Sequence, residues 1–285
     1  MSEEVDVAMD PTATRWYPGA EARPAPDGRT AAGIRYWTYG RGRGDPFLLV
    51  HGWCCNHQFM TPIAWHLARR RARVIAVDMP GHGQSPPPPD GYGVPEMAAR
   101  LQAFAAELDL RRIVVIGHSL GGVWSLAAAA GDRDRFRGLI MLDSAVAGPP
   151  GAAEGIAQVA ESLRDDTSGE VRESIVRSYF LPQSDPRLVE WVVAQMSQPS
   201  TQVAYEPIAG LAEYIANEAD AAALTAWDRP LLYVGSNAPF ADYARLAELA
   251  PQASIGQTVG SGHFVQLEVP TQVNAMIDRF LEITS

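Results

Sequence analysis

Ser119 stands in the run Gly117-His118-Ser119-Leu120-Gly121-Gly122, directly after the apolar stretch IVVI of residues 113–116. A serine at a sharp strand-to-helix turn needs a strained backbone, and side chains two residues to either side would meet the folded-back chain. Glycine at 117 and 121 removes that clash. The following helix points free N–H groups and its positive end at the hydroxyl, which suits an oxygen gaining negative charge. A serine hydroxyl remains a poor nucleophile until a base takes its proton. Six histidines are available, at 51, 57, 66, 82, 118 and 263. His263 follows the last predicted strand in a glycine-rich loop, and it comes last in the order serine, acid, histidine. His118 adjoins the serine, but neighbours on a tight turn point differently, so it is assigned to the pocket lining. His66 sits inside a helical pattern, and His51 and His82 belong to loop motifs.

Two aspartates compete for the acid. Asp143 ends the apolar run Leu139-Ile140-Met141-Leu142, where a carboxylate needs a partner if buried. Asp242 falls at a predicted helix start, where a negative charge is favourable in its own right.

These residues need elements to hold them, and the hydrophobic periodicity supplies a consistent set. Strands are predicted at 33–40, 46–52, 73–81, 113–117, 138–143 and 230–235, with a short one near 254–259. Helices are predicted over 57–70, 94–109, 120–130, 241–250 and 270–283. Strands alternating with helices imply an α/β protein whose parallel sheet is covered on both faces. Residues 148–228 break the rhythm with helical segments alone, among them Tyr179, Phe180, Trp191 and Met196. The expected organisation is an N-terminal arm over 1–30, a core over 31–147 and 229–285, and a helical lid over 148–228.

With 285 residues, 47% of them hydrophobic, the chain is long enough for one large core plus an insertion. A net charge of −10 argues against a nucleic-acid surface. No run reaches the roughly 18 apolar residues of a membrane span. The acidic start MSEEVDVAMD lacks the basic and apolar regions of a secretion signal, so a cytoplasmic protein is expected. Cys54 and Cys55, the only cysteines, read as reduced thiols. No metal constellation, phosphate loop or dinucleotide fingerprint is present, so no cofactor is expected. The expected partner is a small-molecule substrate, and a dimer is one open option for the assembly.

Four motifs, LLVHGW (48–53), DMPGHGQS (78–85), GHSLGG (117–122) and GSGHF (260–264), come in an order and spacing that resembles the α/β-hydrolase family. The resemblance runs from about residue 30 to the end. It implies an oxyanion hole made by the backbone N–H groups of Trp53 and Leu120. The serine excludes the family's dehalogenases and epoxide hydrolases, which need a carboxylate there. The family usually carries its acid just after the strand read here at 230–235, but Ser236-Asn237-Ala238-Pro239-Phe240-Ala241 holds none. In the family's sheet order the strand ending at Asp143 lies beside the serine strand, about 5 Å away. Asp143 is therefore the first choice for the acid and Asp242 the second.

The implied function is a serine esterase or lactonase working through an acyl-enzyme, with Ser119 as nucleophile, His263 as base and Asp143 as acid. Cys55, His118, Tyr179 and Trp191 are expected in its pocket. A second resemblance points elsewhere. GWCCNH (52–57), an acid at 143 and the segment NAPFADYARLAELAP (237–251) are similar to cofactor-independent hydroxyquinolone dioxygenases. There His263 and Asp143 would be the base and Ser119 would only bind. A non-catalytic ligand receptor is the third alternative.

Overall fold

The computed structural model describes residues 25–284 apart from 32, 41 and 43. Most of the expected 1–30 arm therefore lies outside the described residues. Among those described, eight strands form one sheet in the order β1-β2-β4-β3-β5-β6-β7-β8. They are β1 (Gly28–Arg29), β2 (Arg35–Tyr39), β3 (Phe47–Val50), β4 (Val74–Asp78), β5 (Ile113–His118), β6 (Phe136–Leu142), β7 (Leu231–Gly235) and β8 (Ala253–Gln257). The strand β2 pairs antiparallel with both β1 and β4, and β3 through β8 pair in parallel. The central strands β3 to β7 are buried along their whole length apart from Arg137. This is why they read as unbroken Val, Ile and Leu rather than as alternating runs.

Helices cover both faces: α1 (Thr61–Arg69), α2 (Val94–Glu107), α3 (Leu120–Gly131), α9 (Tyr243–Leu249), the four-residue α10 (Val265–Glu268) and α11 (Pro270–Ile283). The stretch predicted as one helix over 57–70 begins instead as a 3₁₀ turn, His57–Met60, with α1 starting beside Pro62. Asn56 caps that turn by accepting from the Gln58 amide. Proline cannot donate to a preceding turn, so the break falls where Pro62 enters the first turn of α1. His66 on α1 meets Asp278 on α11 at 2.8 Å, which joins two helices of one face.

Between β6 and β7 the chain is helical: α4 (Ala152–Leu163), α5 (Glu170–Ser178), α6 (Pro186–Met196), α7 (Thr201–Ala216) and α8 (Ala219–Ala226). Buried side chains of these helices, among them Leu163, Val176, Val192, Ile208 and Leu224, join the same core cluster as the sheet. The indole N–H of Trp53, just past β3, donates to the Ala204 carbonyl of α7 at 2.8 Å and ties this layer to the core.

Candidate active site

Ser119 follows β5 directly and sits at φ 53°, ψ −126°, a backbone region that side chains avoid. Its amide donates to the Leu142 carbonyl at 2.8 Å, so the turn is locked to the neighbouring strand. A Cβ on Gly117 would lie 2.5 Å from the Gly121 carbonyl oxygen and from the Gly122 Cα, and one on Gly121 would overlap the His51 carbonyl. Neither glycine has a positive φ, so both serve close approach, as the motif implied.

The pairing of β5 with β6 places His118 opposite Leu142. The next residues, Ser119 and Asp143, therefore leave adjacent strands at the same level. Asp143 is buried, and its amide donates to Val234 of β7 at 2.8 Å. Its Oδ2 meets His263 Nδ1 at 2.7 Å, and its Oδ1 accepts from the Ser236 amide at 3.0 Å. The carboxylate is thus hydrogen-bonded through both oxygens, which is what a buried charge requires. The residue directly after β7, Ser236, thus gives its backbone N–H to the carboxylate that follows β6. Asp242 is placed elsewhere: its side chain accepts from the Ala244 and Arg245 amides and caps α9.

His263 Nδ1, facing a carboxylate, carries the proton, so Nε2 is left as the accepting nitrogen. The main chain of His263 is held on both sides. Its N–H donates to the Tyr179 carbonyl at 2.8 Å, and its C=O accepts from His118 Nε2 at 3.1 Å. Four rings surround the imidazole, with centroids 4.7 Å (His118), 4.8 Å (Tyr179), 4.9 Å (Phe240) and 5.4 Å (Phe264) away. Burial, and then the neighbouring His263, pushes His118 well below the ordinary histidine value, so it stays a neutral donor.

Ser119, His263 and His118 open on one cavity of about 480 Å³ between the sheet edge and the insertion helices. Trp53, Leu120, Cys55 and Tyr179 also line it. Trp191 does not: it packs on Phe59 with ring centroids 4.9 Å apart, because α6 turns that side chain toward the 3₁₀ turn after β3. Burial pushes the Cys54 thiol up to about 12 and Cys55 well above its ordinary value, so both are protonated thiols.

Sequence reasoning missed three features. Phe240, 40% exposed beside His263, carries an apolar signal that a surface loop does not explain. The carbonyl of Tyr179 leaves no signal, being main chain. A second buried pair, His57 Nδ1 to Asp78 Oδ1 at 2.9 Å, stands behind the Trp53 loop with Trp37 stacked on the imidazole at 3.4 Å. Burial works to raise Asp78, but the hydrogen bond and charge of His57 hold it below the usual carboxylate range.

The family model described as "alpha/beta hydrolase fold" matches residues 45–270, and the chain belongs to that family. It is 27% identical over 254 residues to the AB hydrolase superfamily protein YisY of Bacillus subtilis, covering 84% of this chain and 92% of that one. It is 29% identical over 254 residues to the N-formylmaleamate deformylase of Pseudomonas putida, covering 83% and 88%. A thermophilic esterase from Thermogutta terrifontis superposes with a TM-score of 0.74 at 25% identity, covering 88% of this chain and 94% of that one. No helix of the described residues is long and apolar enough to cross a membrane.

Proposed function

We propose that the protein is a cytoplasmic serine hydrolase that cleaves a small carboxylic ester or lactone. The observation that carries this reading is the buried 2.7 Å bond between Asp143 and His263, with the imidazole opening on the same cavity as Ser119. His263 Nε2 takes the Ser119 proton as Oγ attacks the carbonyl carbon. Asp143 holds the tautomer and stabilises the imidazolium. The backbone N–H groups of Trp53 and Leu120 receive the oxyanion, aided by the positive end of α3. His263 then protonates the departing alcohol, and water activated by the same nitrogen releases the acid. Residues 148–228 form the cap over this site. The names of the esterase and deformylase relatives support hydrolysis of an acyl bond.

Hydrolysis of p-nitrophenyl butyrate tests the reading. Turnover is expected to disappear in Ser119→Ala and after treatment with a serine-directed phosphonate. Full turnover by the alanine variant would end the proposal.

The acid on β6 also favours a second reading, in which His263 and Asp143 deprotonate a hydroxyquinolone that then reacts with oxygen. Oxygen uptake with a 3-hydroxy-4-quinolone that survives Ser119→Ala distinguishes it.

A further inference from the structure

Among the described residues that line the cavity at Ser119 there is no Lys, Arg, Asp or Glu. A substrate carrying a carboxylate or an ammonium group near the scissile bond would lose its water there and gain no partner. The part of the lining that the insertion buries is aliphatic: Met196 on α6 with Ile208 and Leu211 on α7 are 2%, 7% and 4% exposed. Ile156, Val159 and Ile175 extend the same surface from α4 and α5. The rings of Tyr179, Phe240 and Phe264 are gathered around His263 instead. A chain reaching under α6 and α7 therefore meets mainly methyl and methylene groups from these helices, with Trp53 the aromatic ring tied to α7.

The cavity is also polarised. Its exposed lining residues, Pro149, Gly155, Ser178 and Phe240, mark a mouth, and a Cβ built on Gly155 meets nothing within 4 Å. The chemistry assigns the two halves of an ester to the two ends. As the Ser119 Oγ–carbon bond forms and the carbon–alkoxy bond breaks, the serine proton passes through His263 to the leaving oxygen. The acyl group stays on the enzyme while the alcohol departs and water replaces it, so the alcohol belongs on the open side.

Resting on the hydrolase reading above, we propose that the substrates are esters of uncharged aliphatic acids, the acyl chain lying against Met196, Ile208 and Leu211 and the alcohol toward Gly155 and Phe240. The acyl end sets specificity. The alcohol end is permissive.

The test is kcat/KM for p-nitrophenyl esters from acetate through butyrate, hexanoate and octanoate to dodecanoate, with the p-nitrophenyl monoester of adipate as a carboxylate-tipped chain. Each added methylene is expected to raise kcat/KM by up to about fourfold until the cavity is filled. Dodecanoate should fall below the optimum, and the adipate monoester should lie about a hundredfold or more below hexanoate. Ile208→Phe should move the optimum to a shorter chain and Leu211→Ala to a longer one, each in protein that still melts cooperatively. Exchanging ethyl for benzyl alcohol at fixed hexanoate should change kcat/KM by less than about tenfold. Serine-dependent turnover that ignores chain charge and length, or an optimum unmoved in both folded variants, would overturn the assignment. Turnover that persists in Ser119→Ala, or a wild-type protein inert toward the whole series, would instead remove the hydrolase reading on which it rests.

Discussion

The N–H of His263 donates to the carbonyl of Tyr179 at 2.8 Å, so the loop that carries this histidine is fastened to the end of α5. Gly262 makes this possible, since a Cβ there would overlap the Tyr179 carbonyl oxygen. A second tie lies beside it: Ser184 Oγ donates to Glu268 Oε2 at 2.6 Å. At this edge the insertion is a strut for His263 rather than a swinging cover. Gly262→Ala must push Tyr179 and His263 apart. A misplacement on the order of 1 Å costs about a hundredfold in rate, so kcat should fall by about that factor while KM stays nearly constant. Overpacking strain adds a stability loss of about 1–3 kcal/mol. Steady-state kinetics beside a thermal melt check both, and a rise in KM at unchanged kcat would contradict the strut.

Asp143 and Asp242 should separate cleanly. Asp143→Asn keeps the shape but offers His263 the wrong hydrogen-bonding group, and kcat is expected to drop by about ten-thousandfold. Asp242→Ala removes a cap that accepts from two α9 amides, which costs about 1 kcal/mol of stability and leaves turnover intact. Chemical denaturation and p-nitrophenyl butyrate kinetics on both variants decide the matter. The reverse pattern would move the acid to Asp242.

What the chain disclosed in advance follows from how local each constraint is. Gly117 and Gly121 flank Ser119 for reasons confined to one turn, so the motif and its surroundings were legible together. The placement of Asp143 was legible one step further out, because the end of a β6-type strand is defined by its own apolar run and its neighbour by sheet order. Trp191 was misread because helical spacing shows only that a side chain faces a core, and here that core is Phe59. The Tyr179 carbonyl and the Ser236 amide that complete the site are backbone groups shared by nearly every residue type. The His57–Asp78 pair was hidden because it joins a residue after β3 to one ending β4, each unremarkable where it stands.

The two thiols give an independent check on the loop after β3. Cys54 and Cys55 are each 1% exposed, and burial holds the Cys54 thiol near 12 and the Cys55 thiol well above its ordinary value. Only the thiolate attacks an electrophile, so native protein at mildly alkaline pH should be inert to iodoacetamide. Both should react once the chain is unfolded in guanidinium. Rapid labelling of either cysteine in the folded enzyme, read by mass spectrometry, would show that the Trp53 loop opens to solvent.

Three buried histidines set the acid limit of stability. In the folded protein burial lowers His51 to about 3, His82 to about 4 and His118 well below its ordinary value. His51 is fixed neutral, its Nε2 accepting from the Met79 amide at 2.9 Å while Nδ1–H donates to the Gly52 carbonyl at 2.8 Å. In the unfolded chain all three regain values near about 6.5. Between the folded and unfolded values the unfolded state binds more protons, so stability rises with pH. It is complete above about pH 6.5 and lost, for each histidine, at about 1.4 kcal/mol per pH unit as pH falls toward the folded value. Asp78, held below its ordinary 3.8, adds its own loss only under that pH. Urea unfolding from about pH 8 down to about 4.5 should therefore show a plateau and then a decline approaching three protons in slope. His82→Phe, which removes one of the three and fills the same space against Trp124, should shallow that decline by one proton while leaving the plateau's onset unchanged. A slope that is the same in the variant would mean that His82 does not titrate between the two states.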